Sequence, residues 1–251
     1  MKSGGTMGAS IAAAQPEASR RAAEQELRDF SYIVSHDLAA TFRHVAEFTD
    51  LLMRDLGPAA SEKQRLFTEH IRRETSTCQT MMEQLLVYSR IQQRELSLAR
   101  HDMTHLFETA MIQLSAEARA AKAEMSVEAL GEHVVDADLM VQAFKHALSN
   151  AIKFRRPETP LTVRARASGS DGCWGVDVID NGVGVALNRQ EKMFSMFYQD
   201  FPHGDYPGIG AGLAICRRIL RRHGGDAVFV PAPVGACLRL QAPTRDFHTL
   251  Q

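Results

Sequence analysis

Two long stretches without glycine or proline constrain the first hundred residues of this chain more than any other feature. They run from about residue 20 to 56 and from about residue 62 to 98, and the sequence GPAAS separates them. In both stretches, large apolar residues recur mostly at intervals of three or four positions, which is the period of an amphipathic α-helix. The first stretch carries Leu27, Phe30, Val34, Leu38, Phe42, Val45, Phe48, Leu52 and Leu56, and the second carries Phe67, Ile71, Cys78, Met81, Leu85 and Tyr88.

A short break between two long helices predicts an antiparallel helical hairpin. Gly57 and Pro58 mark this break, because both residue types interrupt helices. One hairpin alone buries its apolar stripe poorly, whereas two hairpins together form a four-helix bundle. We therefore expect residues 23–98 to form a hairpin that pairs with a second copy of the chain in a homodimer.

The composition is that of an ordinary globular protein and argues against several classes of function. Hydrophobic residues make up 45% of the 251 residues and the formal net charge is -1, so nothing indicates nucleic acid as a partner. No apolar run approaches the roughly 18 residues that a membrane span needs. Residues 1–22 are rich in glycine, alanine and serine and are expected to be a loose tail. The cysteines lack CxxC or zinc-like spacing, which favours a reduced, cytoplasmic protein; they are Cys78, Cys173, Cys216 and Cys237.

The second part of the chain, residues 99–245, alternates between helical and strand-like patterns. Helices are predicted near 103–121 and 137–153, and a short strand near MSVEAL. Two further strand-like runs, PLTVRARAS and WGVDVID, are followed by a glycine-rich segment, the helix LAICRRILRRH and a last pair of strands. Runs of strand and helix with an antiparallel pattern predict an α+β sandwich.

A histidine in the first helix stands apart from the apolar stripe. His36 lies in FSYIVSHDLAATFR, two residues after Val34 and two before Leu38. At about 100° per residue, this position is roughly opposite the stripe, so His36 is expected to face solvent. An exposed histidine followed by Asp37 is either an ordinary surface pair or a functional one, and helix geometry alone leaves both interpretations open.

Two motifs of the second part carry groups that suit a nucleotide. In HALSNAIKF, Asn150 offers an amide oxygen suited to Mg²⁺, and Lys153 lies one turn further, where it can meet a phosphate. In DVIDNGVGV, Asp180 can accept a hydrogen bond from an exocyclic amine such as that of adenine. Gly182 and Gly184 let the backbone approach a flat ligand. Taken singly, the first motif could be an ordinary polar helix face and the second a common turn.

A third motif, PGIGAGLAI, places Gly208, Gly210 and Gly212 immediately before a helix, whose N-terminal N–H groups can bind phosphate. Its GxGxG spacing does not match the GxGxxG of a Rossmann turn, and by itself it is a glycine-rich loop before a helix cap. The segment 185–206 that precedes it is predicted to be a functional lid, or alternatively a local core built on its phenylalanines. The first motif supplies a metal ligand and a phosphate contact, the second an acceptor for the adenine amine, and the third further phosphate contacts. Together the three motifs indicate one nucleotide site.

The set of motifs resembles the core of two-component sensor histidine kinases over about residues 23–243. FSYIVSHDLAATFR resembles the H box of that family, HALSNAIKF the N box, DNGVGV the G1 box, EKMFSMF the F box and GIGAGL the G2 box. SHDL, NAIKFRRPETP and DYPG look closest to the kinase modules of phytochrome-type proteins. The resemblance implies a hairpin for dimerisation and histidine phosphotransfer, followed by an ATP-binding domain of the Bergerat type shared with gyrase and Hsp90.

The resemblance also implies an activity, that of an ATP-dependent protein histidine autokinase. His36 would be the phosphoacceptor, with Asp37 orienting or deprotonating its imidazole, and the phosphoryl group would pass to an aspartate of a response regulator. Asn150 would hold Mg²⁺, Lys153 the phosphates of ATP, and Asp180 the adenine amine. The pocket would be completed by Gly182, Gly184, Gly208, Gly210, Gly212 and Leu213.

Three positions depart from the family pattern. Thr41 replaces the usual proline five residues after the histidine, which predicts a straighter first helix. Ala40 stands where many members carry threonine or asparagine for phosphatase work, so we expect weak phosphatase activity by that route. His146 stands at the first N-box position, often asparagine, and imidazole is a poorer Mg²⁺ partner than an amide oxygen. Reduced ATP affinity or turnover is one expected result; the alternative is that His146 simply packs or contacts the lid.

Two further interpretations compete with an active kinase. A phosphotransfer or scaffold protein would keep the dimer and His36 without ATP turnover, but such proteins usually have an eroded nucleotide pocket, and DNGVG and GIGAGL are intact. Another Bergerat-fold ATPase, such as an anti-sigma serine kinase or a chaperone-like protein, would have no need of the helical hairpin with SHDL. A tail of about 20 residues is too short for a sensory domain, so the signal arrives through a separate partner or the chain is a fragment of a larger sensor.

Overall fold

The computed structural model describes residues 37–170, 172–200, 206 and 208–245. The chain divides into two compact units, with the division between Ser89 and Arg90. The predicted tail, residues 1–22, and the predicted phosphoacceptor His36 lie outside the described residues. The predicted limits of the hairpin and of the second domain stay predictions.

The first unit contains two helices joined by a tight turn. Helix α1 spans the described residues 37–56, a 3₁₀ turn covers Gly57–Ala59, and helix α2 covers Glu62–Gln93. Ser61 and Gln64 form a reciprocal capping box at the start of α2, because the Ser61 N–H donates to Gln64 Oε1 at 2.8 Å and the Gln64 N–H donates to Ser61 Oγ at 3.3 Å. The predicted break therefore has a defined local cause.

The absence of proline leaves α1 uninterrupted at Thr41. The Thr41 hydroxyl donates a hydrogen bond of 3.0 Å to the carbonyl oxygen of Asp37, one turn earlier, and the helix continues through both residues. Asp37 is exposed at the first described position of the helix.

The hairpin buries mostly small side chains and leaves many large ones exposed. The buried residues of its described part are Ala39, Thr49, Ala60, Thr68, Thr75 and, near the end of α2, Ile91. The large apolar side chains that remain 40% to 71% exposed are Leu38, Val45, Phe48, Leu51, Leu52, Leu66, Phe67 and Ile71. Several of these belong to the predicted apolar stripes, so the described part of one chain does not cover those stripes.

The second unit is built on a mixed sheet of five strands in the order β2-β4-β5-β7-β6. Strands β2 and β4 are parallel, and the other neighbours are antiparallel. A separate antiparallel pair joins β1 and β3. The elements are β1 (Leu98–Asp102), α3 (Met103–Gln113), α4 (Ser115–Ala120), β2 (Glu124–Val127), β3 (Glu132–Asp136), α5 (Ala137–Lys153), β4 (Thr162–Ala167), β5 (Cys173–Asp180), 3₁₀ turns at Leu187–Arg189 and Lys192–Phe194, α6 (Gly212–Arg222), β6 (Asp226–Val230) and β7 (Ala236–Pro243).

The predicted pattern of this unit is confirmed with two differences. The helix expected near 103–121 breaks at Leu114 into α3 and α4, and the short strands β1 and β3 were not predicted. In the described ranges, no helix combines the length and hydrophobicity that a membrane crossing requires.

The core forms where α5 packs on both α3 and α6 and the three helices pack on the sheet. Helix α5 buries one continuous stripe, consistent with its predicted amphipathic pattern. The largest fully buried side chains include Phe107, Phe144, Met140, Leu148, Ile215, Ile219, Leu220 and Leu240. This packing leaves the opposite, polar stripe of α5 available to a site.

A buried carboxylate fixes the start of α5. Asp136 is 1% exposed, and its Oδ1 caps the helix by accepting the Leu139 N–H at 3.1 Å. Its Oδ2 accepts the Ser97 N–H at 3.0 Å, and Arg94 Nη2 lies 3.2 Å from both oxygens. The Asp136 N–H donates to Nε2 of the buried His223 at 3.0 Å. This hub therefore holds the start of the unit against α5 and the end of α6.

We expect Asp136→Ala to destabilise the second unit by about 2–4 kcal/mol, because it removes the cap and leaves the Ser97 N–H and Arg94 without their acceptor. Asp136→Asn is the matched control, since an amide oxygen still caps the helix, and it should cost less. The single tryptophan, Trp174, lies in this unit, so its fluorescence in a denaturant titration reports on the unit directly. An alanine variant with the wild-type midpoint would contradict this role.

Candidate functional site

Asp180 ends β5 and presents one carboxylate oxygen. Its Oδ1 accepts backbone N–H groups from Gly182 at 2.8 Å and from Ala236 at 3.2 Å. Within the described residues, Oδ2 accepts no hydrogen bond and is left for a ligand. Burial raises the pKa of Asp180 above its usual range, while the two N–H groups act in the opposite direction. The side chain is thus held in one orientation, with one acceptor fixed and the other available.

The turn after Asp180 lies so close to the end of α5 that its first glycine has no room for a side chain. A Cβ on Gly182 would be 2.4 Å from the Phe154 carbonyl oxygen and 2.9 Å from Asp180 Oδ1. The same carbonyl accepts the Val183 N–H at 3.0 Å, and Arg156 Nε donates to the Gly182 carbonyl at 3.0 Å. Two of the three predicted motifs are therefore joined directly.

Asn150 and Lys153 occupy the polar stripe of α5, one turn apart. Asn150 is half-buried, and its amide makes no side-chain hydrogen bond within the described residues. Lys153 Nζ lies 4.7 Å from the centre of the Phe154 ring, and burial lowers its pKa. A Cβ on Gly208 would be 3.0 Å from Lys153 Nζ, so the glycine loop passes directly beside the ammonium group.

His146, one turn before Asn150, packs against the start of α6. A Cβ on Gly212 would be 3.1 Å from His146 Nδ1. Nε2 is buried and has no hydrogen-bond partner in the described part of the chain. Burial, helped by the neighbouring Lys145, lowers the pKa of His146 to about 4, so the imidazole is neutral near pH 7. His146 is thus packed against Gly212, in agreement with the interpretation that it is a packing residue.

The glycine loop 208–212 leads into α6, whose first turn offers backbone N–H groups without a side-chain cap at Ala211. Gly210 has φ +74°, and a Cβ there would lie 2.3 Å from the Tyr198 carbonyl oxygen, so the loop needs glycine at this point. Leu213, expected in the pocket, is 6% exposed and packs in the core. The two glycine-bearing motifs converge on the polar stripe of α5, which carries the third motif.

Metal binding at this site would depend on few protein groups. The part of the chain that the structure describes has no group of three or more His, Cys, Asp or Glu side chains able to hold a metal ion. Asn150, with its amide available, fits Mg²⁺, which is commonly held by one or two protein oxygens together with substrate phosphates.

The turn between β6 and β7 also shapes the site, and the motifs did not reveal it. A Cβ on Gly235 would be 2.0 Å from the Asp180 carbonyl oxygen, and the next residue, Ala236, donates to Asp180 Oδ1. The two segments are more than 50 residues apart and meet because β7 pairs with β5 in the register Asp180↔Ala236. The only sequence signal was the glycine of VGA, which by itself indicates an ordinary turn.

Comparison with known proteins agrees with this geometry. Residues 135–246 match the family described as histidine kinase-, DNA gyrase B-, and HSP90-like ATPase. The chain is 27% identical over 201 residues to the phytochrome-like protein Cph1 of Synechocystis, covering 80% of this chain and 27% of that protein. It is 28% identical over 244 residues to the sensor protein KdpD of Escherichia coli, covering 95% of this chain and 27% of that protein. The chain thus spans about a quarter of the length of these two relatives.

Solved structures show the same fold. Full-length ShkA in complex with AMPPNP matches 86% of this chain and 46% of that chain, with a TM-score of 0.62 and 24% identity. Histidine kinase ThkA in complex with response regulator protein TrrA matches 92% of this chain and 66% of that chain, with a TM-score of 0.61 and 18% identity. The family match therefore gives residues 135–246 the sequence pattern of the ATPase domain of histidine kinases, DNA gyrase B and HSP90, and the likeness to the solved structures shows that the fold is that of histidine kinases.

Proposed function

We propose that this protein is an ATP-dependent histidine autokinase that phosphorylates His36 and passes the phosphoryl group to an aspartate of a response regulator. The observation that carries the proposal is the convergence of Asp180, Asn150, Lys153 and the glycine loop 208–212 on one site of an ATPase fold. A noncatalytic scaffold is not favoured, because such a protein has no need to keep the nucleotide groups together.

Each group of the site has a role in holding ATP. Asp180 Oδ2 accepts a hydrogen bond from the adenine amine, and the close turn at Gly182 lets the base approach the backbone. Lys153 and the N–H groups at the start of α6 hold phosphate oxygens. Asn150 holds Mg²⁺, which supplies charge neutralisation for the triphosphate when bound.

The reaction is an in-line transfer that needs positioning more than covalent chemistry by the pocket. A ring nitrogen of His36 attacks the γ-phosphorus, the N–P bond forms, and the bond to the β,γ-bridging oxygen breaks as ADP leaves. Asp37 orients the imidazole or takes its ring proton, which leaves the attacking nitrogen its lone pair. His36 lies outside the described residues, so this assignment rests on the H-box sequence and on the adjacent Asp37.

The partners follow from the relatives. ThkA is seen in complex with the response regulator TrrA, and we extend a receiver-domain partner to this chain. The signal would come from a separate sensory partner or from further parts of a larger sensor, since this chain matches only 27% of the length of each of these relatives. We place the protein in the cytoplasm, where both ATP and a response regulator are available.

Incubation of the purified chain with Mg²⁺ and γ-labelled ATP tests the activity. We expect a label on the protein that is lost in acid and stable in alkali, as a phosphoramidate is. A label that is stable in acid would contradict phosphorylation of histidine and favour a serine-kinase type of ATPase. Binding of a nonhydrolysable ATP analogue, measured separately, shows whether a missing label reflects lost binding or lost transfer.

Homodimerisation through the hairpin is supported by the large apolar side chains that the described part of one chain leaves exposed. Leu38, Val45, Phe48 and Leu52 repeat along α1 at helical spacing, and exposed stripes of this kind mark association surfaces. Packing two hairpins together would bury them in a four-helix bundle.

Phe48→Glu should therefore shift the protein from dimer to monomer, because Phe48 is 71% exposed in the single chain and a buried carboxylate at a dimer interface costs several kcal/mol. Light scattering coupled to gel filtration measures the mass. Leu187→Glu is the matched control, since Leu187 is 80% exposed in the second unit and its replacement should leave the mass unchanged. A Phe48→Glu protein that remains dimeric would contradict this interface.

A further inference from the structure

Arg217 of α6 joins three separate pieces of the second unit through one nearly buried guanidinium group. Its side chain is 12% exposed. Nε and Nη2 donate to the two carboxylate oxygens of Asp226 at 2.7 and 3.0 Å, and Nη1 donates to Glu191 Oε1 at 2.6 Å. The guanidinium carbon lies 4.7 Å from the centre of the Phe194 ring. The sequence motifs gave this residue no role.

The segment that Arg217 holds leads directly to the glycine loop. Three residues after Phe194, the Phe197 N–H donates to the Gly210 carbonyl at 3.0 Å, and Gly210 fits only because it has no Cβ against the Tyr198 carbonyl. Gln199 Nε2 then donates to the Gly208 carbonyl at 2.8 Å. The Phe197 and Tyr198 backbone and the Gln199 side chain therefore set where the glycine loop runs.

The far end of the same loop enters α6 at Gly212, the helix that carries Arg217. Along the way, Gly208 passes beside Lys153 Nζ and Gly212 beside His146. A change in the distance between the 191–198 segment and α6 would therefore move the loop relative to the groups proposed to hold phosphate.

We propose that Arg217 is a positioning residue that sets nucleotide affinity, by clamping Glu191 and Phe194 to α6 and so fixing the Gly208–Gly212 loop. The proposal rests on the proposed function, because it concerns the same nucleotide site. The planar fork of arginine reaches Asp226 with two N–H groups and Glu191 with a third while its face covers a phenyl ring, and lysine cannot reproduce that geometry.

Titration calorimetry with AMPPNP and Mg²⁺ on the full chain tests the clamp. Arg217→Lys should raise the dissociation constant about tenfold, the effect of losing about one hydrogen bond to a charged phosphate group when the loop is no longer held in place. Glu191→Gln should raise the dissociation constant about threefold, because it weakens one charge-assisted hydrogen bond to Arg217. Its melting temperature without nucleotide should not change, because the Glu191 side chain is 80% exposed. The double variant should bind no worse than Arg217→Lys alone, because Glu191 acts through Arg217.

Arg221→Met is the matched control, because Arg221 Nε also contacts Asp226 Oδ1, at 3.3 Å, but makes no contact with Glu191 or Phe194 in the structure described. It should keep the wild-type affinity. Wild-type affinity in both Arg217→Lys and Glu191→Gln, or additive losses in the double variant, would overturn the clamp while leaving the proposed function intact. A wild-type chain that binds no AMPPNP would overturn the proposed function itself.

Discussion

Replacing Asp180 by asparagine is expected to weaken ATP binding by about 30-fold or more while leaving the second unit folded. The native Oδ1 is held by two backbone N–H groups, so asparagine must keep its oxygen there and turn its NH₂ toward the ligand. Two donors would then face each other, one from the protein and one from the adenine amine. Losing a partly buried, charge-assisted hydrogen bond and leaving unsatisfied donors costs roughly 2–4 kcal/mol, which is about 30- to 1,000-fold in affinity.

Calorimetry with AMPPNP and Mg²⁺ measures this loss, and Trp174 fluorescence checks the fold. Asp102→Asn supplies a matched control, since Asp102 undergoes the same change of group in the same unit, at the cap of α3, where asparagine caps equally well. Unchanged affinity in Asp180→Asn would show that adenine is recognised elsewhere and that the pocket assignment is wrong.

Replacing His36 by glutamine should remove all phosphorylation of the chain without changing its affinity for ATP. Glutamine has about the size and polarity of histidine but no nucleophilic ring nitrogen, so the N–P bond cannot form. Label transfer from γ-labelled ATP and calorimetry with AMPPNP give the two readouts. We expect the variant to take up no label and to bind AMPPNP with the wild-type affinity.

His44→Gln is the control for His36→Gln, because His44 is an exposed histidine of α1 that lies eight residues after His36 in the sequence. It should label like the wild type. A label that persists in His36→Gln would place the phosphoacceptor on another residue. No label in either protein, with AMPPNP still bound, would mean that transfer is silent and would favour the scaffold interpretation.

The pattern of the chain determined the local structure of the site but not the orientation of its groups. DNGVG indicated a strand that ends in a close turn, and HALSNAIKF indicated a helix with Asn150 and Lys153 on one stripe. Neither motif specifies that Ala236 holds Asp180 Oδ1, because that contact depends on the register of β7 against β5. Register follows from the packing of whole strand faces, which short motifs do not encode.

Neutral His146 illustrates the same limit. From the sequence, it was either a weak metal partner or a packed residue, and both were compatible with its place on α5. The packing of α6 on α5 brings Gly212 against its ring and buries Nε2, which lowers the pKa of the imidazole. Only the contact between helices more than 50 residues apart in the chain could settle this.

By itself, the sequence determined the elements whose causes are local: two helices with a Ser61–Gln64 capping box between them, and a strand that ends at Asp180. The tertiary structure alone decided which groups meet, including the free oxygen of Asp180 and the guanidinium clamp at Arg217. The physical reason is the range of the interactions. Helix period, caps and turns act over about four residues, whereas strand register and helix packing depend on side chains that are far apart in the chain.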